Sequence, residues 1–590
     1  MTDAVRAARQ AAILLIALFF AAAAIGYWVG QGRPVRVGEA AADRVQCLSY
    51  APFRKPGESP FIAGTMVGEA RLREDLELLA ARTGCVRTYS VQQGLEAVPR
   101  IAQSLGMKVL LGVWLGRDRI ENEAELTKAI ALARQYPGTI DALVVGNEVL
   151  LRRELAEPVL AAYLDRARAG SGVPVTYADV WEFWSEHRTL ARHVSFVTVH
   201  ILPYWEDHPV GIDAAVDHIV RTAESMRRMF EGKEILIGET GWPSAGRSRE
   251  AAVASRINQA RFFREFSVAA REHGFRYNFI EAFDQPWKRR MEGAMGGNWG
   301  LFDSDGRAKF PSAGPVEADP AWQRGLVGAA VGALAFGVFG YRRRLGGFLL
   351  STAAVVAGAA TGALAVTQWH YMTVWNRYLY EWVPTGFYAA IAIVFPLLAL
   401  AVAAGVLRPG LQRPAAPWAV PGLAPAKPAV PPIALVIGRW RAEGGGAAGL
   451  GRLSGLDWLS VLRFLFLFGA AAMTVLLVFD ARYRGFPWPL YMPALMSFLL
   501  VLAAGIRANR FGAEEAVLAT ITLVCAIALV PMERLSNLQA LFFGVQMVLL
   551  AGAATGFRYW RPVSPARIDA IGTGVARQGQ ADRTADRAGA

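Results

Sequence analysis

Two carboxylates in this sequence stand where a short apolar run stops. Glu239 closes Ile235-Leu-Ile-Gly-Glu239, which gives way at once to Thr240-Gly-Trp-Pro-Ser244, and Glu148 closes Asp141-Ala-Leu-Val-Val-Gly-Asn-Glu148 with Asn147 beside it. Such a pair can cleave a glycosidic bond. One carboxyl protonates the leaving oxygen and the other supplies electron density to the anomeric carbon. Groups roughly 5 Å apart permit covalent capture and retention, whereas wider separations admit a water and give inversion. We assign Glu148 as general acid and Glu239 as a nucleophile ionised at rest, with Asn147 hydrogen-bonding the sugar 2-hydroxyl.

Two strand ends about ninety residues apart face each other only if the intervening strands wrap round a common centre. Residues 40–312 have that grammar. Short apolar runs at 45–50, 85–89, 108–113, 143–146, 173–178, 196–201, 234–238 and 277–283 alternate with helical stretches such as 69–82, 121–136 and 251–272. Eight strands with helices between them are the count of a (β/α)8 barrel, whose chemistry sits at the C-terminal ends of its strands. An open doubly wound sheet is the rival, but no Gly-rich phosphate turn follows the first strand.

The rest of the chain is of another kind. At 590 residues it exceeds one ordinary domain, and its mean hydropathy of +0.27 comes from the first thirty residues and the stretch after 320. Residues 1–10 carry Arg6 and Arg9 and are expected in the cytoplasm. Residues 11–30 have the length of an uncleaved transmembrane anchor, a cleaved signal peptide being the alternative. A linker at 313–324 precedes apolar runs at 325–341, 345–367, 385–407, 461–479, 489–506, 516–530 and 538–557. Together these make an all-α polytopic membrane domain of about eight spans: helices 2–4 within 325–407, a flexible Pro/Ala/Gly-rich cytoplasmic linker at 408–456, helices 5–8 within 457–557, and a disordered basic tail at 558–590.

The formal charge of +13 falls largely beside apolar runs, at Arg342–Arg344, Arg408–Arg452, Arg507, Arg510 and the tail. These positions agree on one orientation, with arginines inside and the barrel outside. Nucleic-acid binding is excluded by the lack of any recognisable motif. Gly328/Gly332, Gly358/Gly362 and Gly552/Gly556 have spacing that lets helices approach closely. Trp369, Tyr371, Trp375, Tyr378, Tyr380 and Trp382 read as one outer loop, an interfacial aromatic belt rather than a sugar platform. Glu514 and Glu515 read as interfacial.

The three cysteines have no metal-ligand spacing, so no zinc site is expected, nor any other metal or cofactor. Cys47 and Cys85 fall on neighbouring strands, where an oxidising compartment permits a disulfide. Two buried free thiols are the expectation.

Gly146-Asn-Glu-Val149 and Gly238-Glu-Thr-Gly-Trp-Pro-Ser244 resemble the two signatures of glycoside hydrolase family 17, the retaining β-1,3-glucanases and glucanosyltransferases with a (β/α)8 barrel. Further matches follow in order: Val86-Arg-Thr-Tyr89, Val199-His-Ile-Leu-Pro-Tyr204, Glu281-Ala-Phe-Asp-Gln-Pro-Trp-Lys288 and Trp299-Gly-Leu-Phe302. The resemblance, confined to the soluble part, implies Glu148 as acid/base and Glu239 as nucleophile. It implies that Tyr89, Asn147, Tyr204, Glu281 and Lys288 line the sugar subsites, with Trp242 nearby. Glu281 reads equally as a carboxylate that holds Lys288 or Arg87, and Asp284 as the partner of a turn. His200 departs from the plant pattern and is either a sugar contact or a wall residue. Trp205, with Trp181 and Trp184, is a candidate for stacking on pyranose rings or for packing as lid core.

Membrane-linked bacterial members resembling this chain are associated with β-1,3/β-1,6-glucan synthesis. The implied protein is a multi-pass enzyme of the bacterial inner membrane with a periplasmic catalytic domain. It would be a glucanosyltransferase that elongates, branches or cyclises β-1,3-glucan, with a plain β-1,3-glucan hydrolase or a non-catalytic glucan-binding scaffold as alternatives. Its expected partners are the β-glucan, the bilayer and a membrane glucan synthase. A self-contained nucleotide-sugar synthase does not fit, because Asp303-Ser-Asp305 falls on the wrong side of the membrane.

Overall fold

A computed structural model describes residues 2–408, 429–479, 483–508 and 512–556. Arg510, residues 409–428 and the tail from 558 lie outside the described residues.

Eight parallel strands close into a barrel in chain order: β1 (Leu48–Ser49), β2 (Cys85–Arg87), β3 (Lys108–Val113), β4 (Ile140–Asn147), β5 (Val175–Val180), β6 (Val197–His200), β7 (Ile235–Thr240) and β8 (Arg276–Phe279). β1 pairs with both β2 and β8, which completes the ring. Side chains alternate between the two faces of each strand. One parity, including Val109, Leu111, Leu143, Val145 and Ile237, packs outward in the main core. The other parity points inward, and its polarity rises along the barrel axis. At the closed end Cys47, Leu110, Ala142, Val144, Ala178, Phe196 and Leu236 form a dry cluster. Further toward the mouth stand Ser49, Arg87, Thr198 and Asn278, all buried. At the mouth come Asn147, His200 and Glu239. The apolar plug therefore supports a polar layer, and the polar layer supports the carboxylates.

The expectation of free thiols at Cys47 and Cys85 is overturned, since the two form a disulfide. The parallel register explains it. Leu48 pairs with Val86, so the residues one position earlier stand side by side, with Cα atoms 4.4 Å apart. Closing a loop with a sequence separation of 38 stabilises the fold by roughly 4 kcal/mol on chain-entropy grounds.

Among the described residues, seven helices are long and apolar enough to cross a membrane: Asp3–Gln31, Gln323–Arg343, Phe348–Trp375, Leu379–Leu407, Gly455–Phe479, Ala513–Glu533 and Leu538–Thr555. The eighth expected span is the helix Trp488–Ala503, whose 16 residues reach only about 24 Å. The helix over the 516–530 run is longer, from Ala513 to Glu533. The centre of Trp488–Ala503 is packed inside the bundle, with Leu490, Tyr491, Ala494, Leu495, Met496 and Phe498 all buried, so neighbouring helices rather than lipid surround it.

Small residues bring the helices Gln323–Arg343 and Phe348–Trp375 together, as their spacing suggested. A Cβ on Gly332 would stand 2.1 Å from the Gly358 carbonyl oxygen, and one on Gly362 would stand 2.0 Å from that of Gly328. Gly556 has another use: it ends its helix at φ 73°. Part of the expected linker at 408–456 is structured. Ala429–Val430 pairs with Arg507–Ala508, and helices cover Ile433–Ala442 and Gly446–Gly451. Asp457, ion-paired with Arg439 at 2.9 Å, ties this segment to the apolar helix Gly455–Phe479. The aromatic loop is also shorter than expected. Trp369, Tyr371 and Trp375 end one helix, Tyr380 and Trp382 begin the next, and only residues 376–378 lie between.

The chain enters and leaves the barrel side by side, through an antiparallel bridge of Val35 with Val316. Arg264, fully buried, anchors this junction by donating to the carbonyls of Gly38, Pro311 and Gly314.

Candidate active site

β4 and β7 both lose regular register at their C-terminal ends, β4 against β5 between Val144 and Asn147 and β7 against β8 between Ile237 and Thr240. Glycines make this possible. Gly146 takes φ 85° and Glu148 itself takes φ 52°, a left-handed conformation that costs a non-glycine residue on the order of 1 kcal/mol or more. The Glu148 amide is held by the Ala178 carbonyl at 2.7 Å. The turn aims the Glu148 side chain across the mouth toward Glu239. One carboxylate oxygen from each, and a ring nitrogen of His200 between them, lie within 4.8 Å of one another.

Glu239 is the more enclosed of the two, its side chain 6% exposed against 23% for Glu148. Arg87, buried at the end of β2, donates through Nη1 to Glu239 Oε1 at 3.1 Å and to the Gly238 carbonyl at 2.8 Å, and through Nη2 to Asn147 Oδ1. The Tyr89 hydroxyl donates to Glu239 Oε1 at 2.8 Å and lies 2.9 Å from Ser49 Oγ. His200 spans the pair, with Nδ1 2.8 Å from Glu148 Oε1 and Nε2 3.8 Å from Glu239 Oε1. Burial alone raises the Glu239 carboxyl, but the charges of His200, Arg87 and Lys288 and the Tyr89 hydrogen bond outweigh it and hold the group below the usual carboxylate range.

The direction fixes a pH dependence. A depressed carboxyl stays charged, and contributes its stabilisation, above its unfolded value; both are lost as pH falls through the folded value. Any activity that needs Glu239 ionised therefore persists into mild acid. In Tyr89→Phe the carboxylate loses one charge-assisted hydrogen bond, so the acidic limb of the pH–kcat/KM profile moves up by about one unit. An unmoved limb would show that the hydroxyl does not act on this group.

The pair lies in a cleft of about 1330 Å³. Of the residues singled out in the sequence, Tyr89, Asn147, Glu148, His200, Trp205, Glu239 and Lys288 line it, together with Trp181. Tyr204, Trp242 and Glu281 do not. Tyr204 is fully buried, edge-on to Trp242 and Trp299, with its hydroxyl on the Arg247 carbonyl. Trp242 packs on Phe262 and donates its indole N–H to the Val253 carbonyl at 3.0 Å. Both rings fill the layer beneath the cleft, because polar loops crossing the mouth leave apolar space under them. Glu281 is 1% exposed and accepts from Lys288 Nζ at 3.1 Å through both oxygens. It orients that ammonium, and burial pushes it up to about 7 despite the opposing charge of Lys288. Trp184 is core, and Asp284 accepts from the Gly300 amide and pairs with Lys309.

Sequence reasoning passed over Trp114, Trp287 and Glu292, which also line the cleft. Trp114 follows β3 directly, so its place at a strand end was an available signal. Arg377 and Tyr483, from the apolar helical region, line it as well, and nothing local to their sequence points to a barrel.

A closed (β/α)8 barrel with two facing carboxylates at its C-terminal mouth defines the class of glycoside hydrolases that work by paired carboxyl groups. The BtgE/BtgC glycoside hydrolase domain family matches residues 47–300. A glucan 1,3-beta-glucosidase of Schizosaccharomyces pombe is 31% identical over 232 residues, 36% of this chain and 72% of that protein. One from Arthroderma benhamiae is 27% identical over 267 residues, 42% of this chain and 85% of the other. Among solved structures, a family 17 beta-1,3-glucanosyltransferase from Rhizomucor miehei is similar at 26% identity and TM-score 0.40, covering 45% of this chain and 95% of that one. Through its barrel, the chain belongs to glycoside hydrolase family 17.

Proposed function

We propose that the protein is a membrane-bound, retaining enzyme of β-1,3-glucan, and that it works chiefly as a glucanosyltransferase. The observation that carries this reading is the approach of Glu148 and Glu239 to within 4.8 Å through their nearer oxygens. That spacing suits covalent capture and leaves no room for the water that inversion requires. In the proposed reaction Glu239 attacks the anomeric carbon while Glu148 gives its proton to the departing glycosidic oxygen, forming a glycosyl-enzyme. Glu148, now a carboxylate, takes the proton from an incoming hydroxyl, which displaces Glu239 and restores both groups. Arg87 and Tyr89 keep the nucleophile charged and oriented, and Asn147, fixed by Arg87, presents its amide N–H to the sugar.

A β-1,3-glucan substrate is supported by family membership and by relatives named for that linkage. Transfer over hydrolysis is supported by the cleft's aromatic walls, where Trp114, Trp181, Trp205, Trp287 and Trp299 offer stacking surface to a sugar acceptor. The extracytoplasmic setting is supported by the Cys47–Cys85 disulfide. It is supported also by the arginines gathered where membrane helices end away from the barrel: Arg408 donates to the carbonyls of Arg343 and Arg344. We extend the proposal to a bacterial inner-membrane enzyme that remodels glucan delivered by a separate synthase, forming 1,3- or 1,6-linkages.

The test is to incubate the detergent-solubilised full chain with laminari-oligosaccharides of defined length and follow product sizes. Products longer than the substrate support transfer. Only shorter products make it a hydrolase, and no turnover makes it a glucan-binding scaffold.

A further inference from the structure

The barrel does not bound its own cleft. The loops after β6, β7 and β8 rest on the outer turns of the membrane part. After β6, the Tyr204 ring stacks on Tyr483 at 5.6 Å and 7°, and the Tyr483 hydroxyl donates to the Tyr204 carbonyl at 2.9 Å. After β7, Ser248 bridges to Arg484, and Arg534 pairs with Glu250 at 3.2 Å. After β8, Arg289 donates to the carbonyls of Thr373, Val374 and Asn376, and the Tyr378 hydroxyl donates to the Arg290 carbonyl. Three successive loops held by directional contacts make this a fixed seat. The C-terminal mouth, where Glu148 and Glu239 stand, therefore faces the membrane part.

Two residues of that part reach the cleft itself. Tyr483 and Arg377 line it along with Trp205, Trp299 and the carboxylate pair. Trp205 is stacked on Trp299 at 6.0 Å and 8° and meets Tyr483 edge-on at 5.2 Å and 80°. Its ring is thus held in place by one aromatic of the barrel and one of the membrane part. An aromatic ring held in a single orientation is what stacking on a pyranose requires, because the contact depends on the ring face and not on a flexible polar group. Arg377, anchored by Glu381 at 3.2 Å, brings guanidinium donors to the same wall.

We propose that the membrane part completes a sugar subsite of this cleft. Arg377 and Tyr483 form the wall on the β6–β8 side, and Tyr483 is a positioning residue that fixes Trp205 as a platform for a glucosyl unit of a β-glucan chain. The proposal rests on the glucan reading above and deepens it. It makes the membrane helices part of the enzyme's specificity, since a chain long enough to reach this wall engages both parts at once.

The experiment measures kcat/KM for laminaritriose and laminarihexaose on the solubilised full chain, its Tyr483→Ala variant and its Tyr483→Phe variant. Loss of the ring is expected to lower kcat/KM for the hexaose about fivefold more than for the triose, and to shift the product-length distribution. Phe, which keeps the ring against Trp205, is expected to restore most of the length dependence. Equal losses on both substrates in Tyr483→Ala, or no loss, would overturn the subsite while leaving the glucan reading intact. A Phe variant as impaired as Ala would also overturn it, since the hydroxyl and not the ring would then matter. A parent chain that neither binds nor turns over either oligosaccharide would overturn both.

Discussion

Glu239→Gln is expected to abolish turnover, with kcat falling on the order of 10⁴-fold or more. The substitution keeps shape and removes the negative charge that makes the carboxylate oxygen nucleophilic toward the anomeric carbon. Its structural cost is confined. Arg87 keeps the Gly238 carbonyl and Asn147 as acceptors, but a buried cation loses its counter-charge, which costs about 3 kcal/mol. Circular dichroism and a thermal scan separate that cost from the chemistry: a folded, inactive protein is the expected result. A direct check uses the unsubstituted chain. An activated 2-deoxy-2-fluoro laminaribioside, whose electron-poor ring slows breakdown of the glycosyl-enzyme, is expected to label the peptide carrying Glu239. Label elsewhere, or full activity in the Gln variant, would remove Glu239 from the nucleophile's role.

Glu148→Ala is expected to show its effect according to the leaving group. With a natural glucan, departure of a sugar alkoxide needs a proton, and kcat/KM falls about 10²- to 10⁴-fold. With an aryl glucoside whose phenolate leaves unaided, the first step keeps most of its rate and the second becomes limiting, because no base activates the acceptor. Azide, a small anion that fits the space left by the carboxylate and needs no deprotonation, is expected to restore turnover and give a glycosyl azide of retained configuration. An inverted azide would mean that no glycosyl-enzyme forms on Glu239. His200 sharpens the contrast, since its Nδ1 loses a partner at 2.8 Å while its contact with Arg87 and the nucleophile side remains.

The sequence alone determined the barrel, the eight strand positions and the two carboxylates. These are local properties. A strand buried on both faces must be a short apolar run, and a charged group can follow it only at an end. The long apolar helices were legible for the same reason, as uninterrupted runs of the length that crosses a bilayer.

Tertiary structure decided what depends on which neighbour covers a side chain. Trp205 and Trp242 both follow strands closely, yet one lines the cleft and the other is sealed over Phe262. Glu281 looks in sequence like the other acidic strand-end residues, yet Lys288 stands between it and the sugar site. The disulfide required the β1–β2 register, which one strand cannot specify. Least legible was the docking of the barrel's mouth on the apolar helical region. Tyr483 and Arg377 lie far along the chain from the carboxylates they help enclose, and local hydropathy records only that they sit at helix ends, not which surface meets them there.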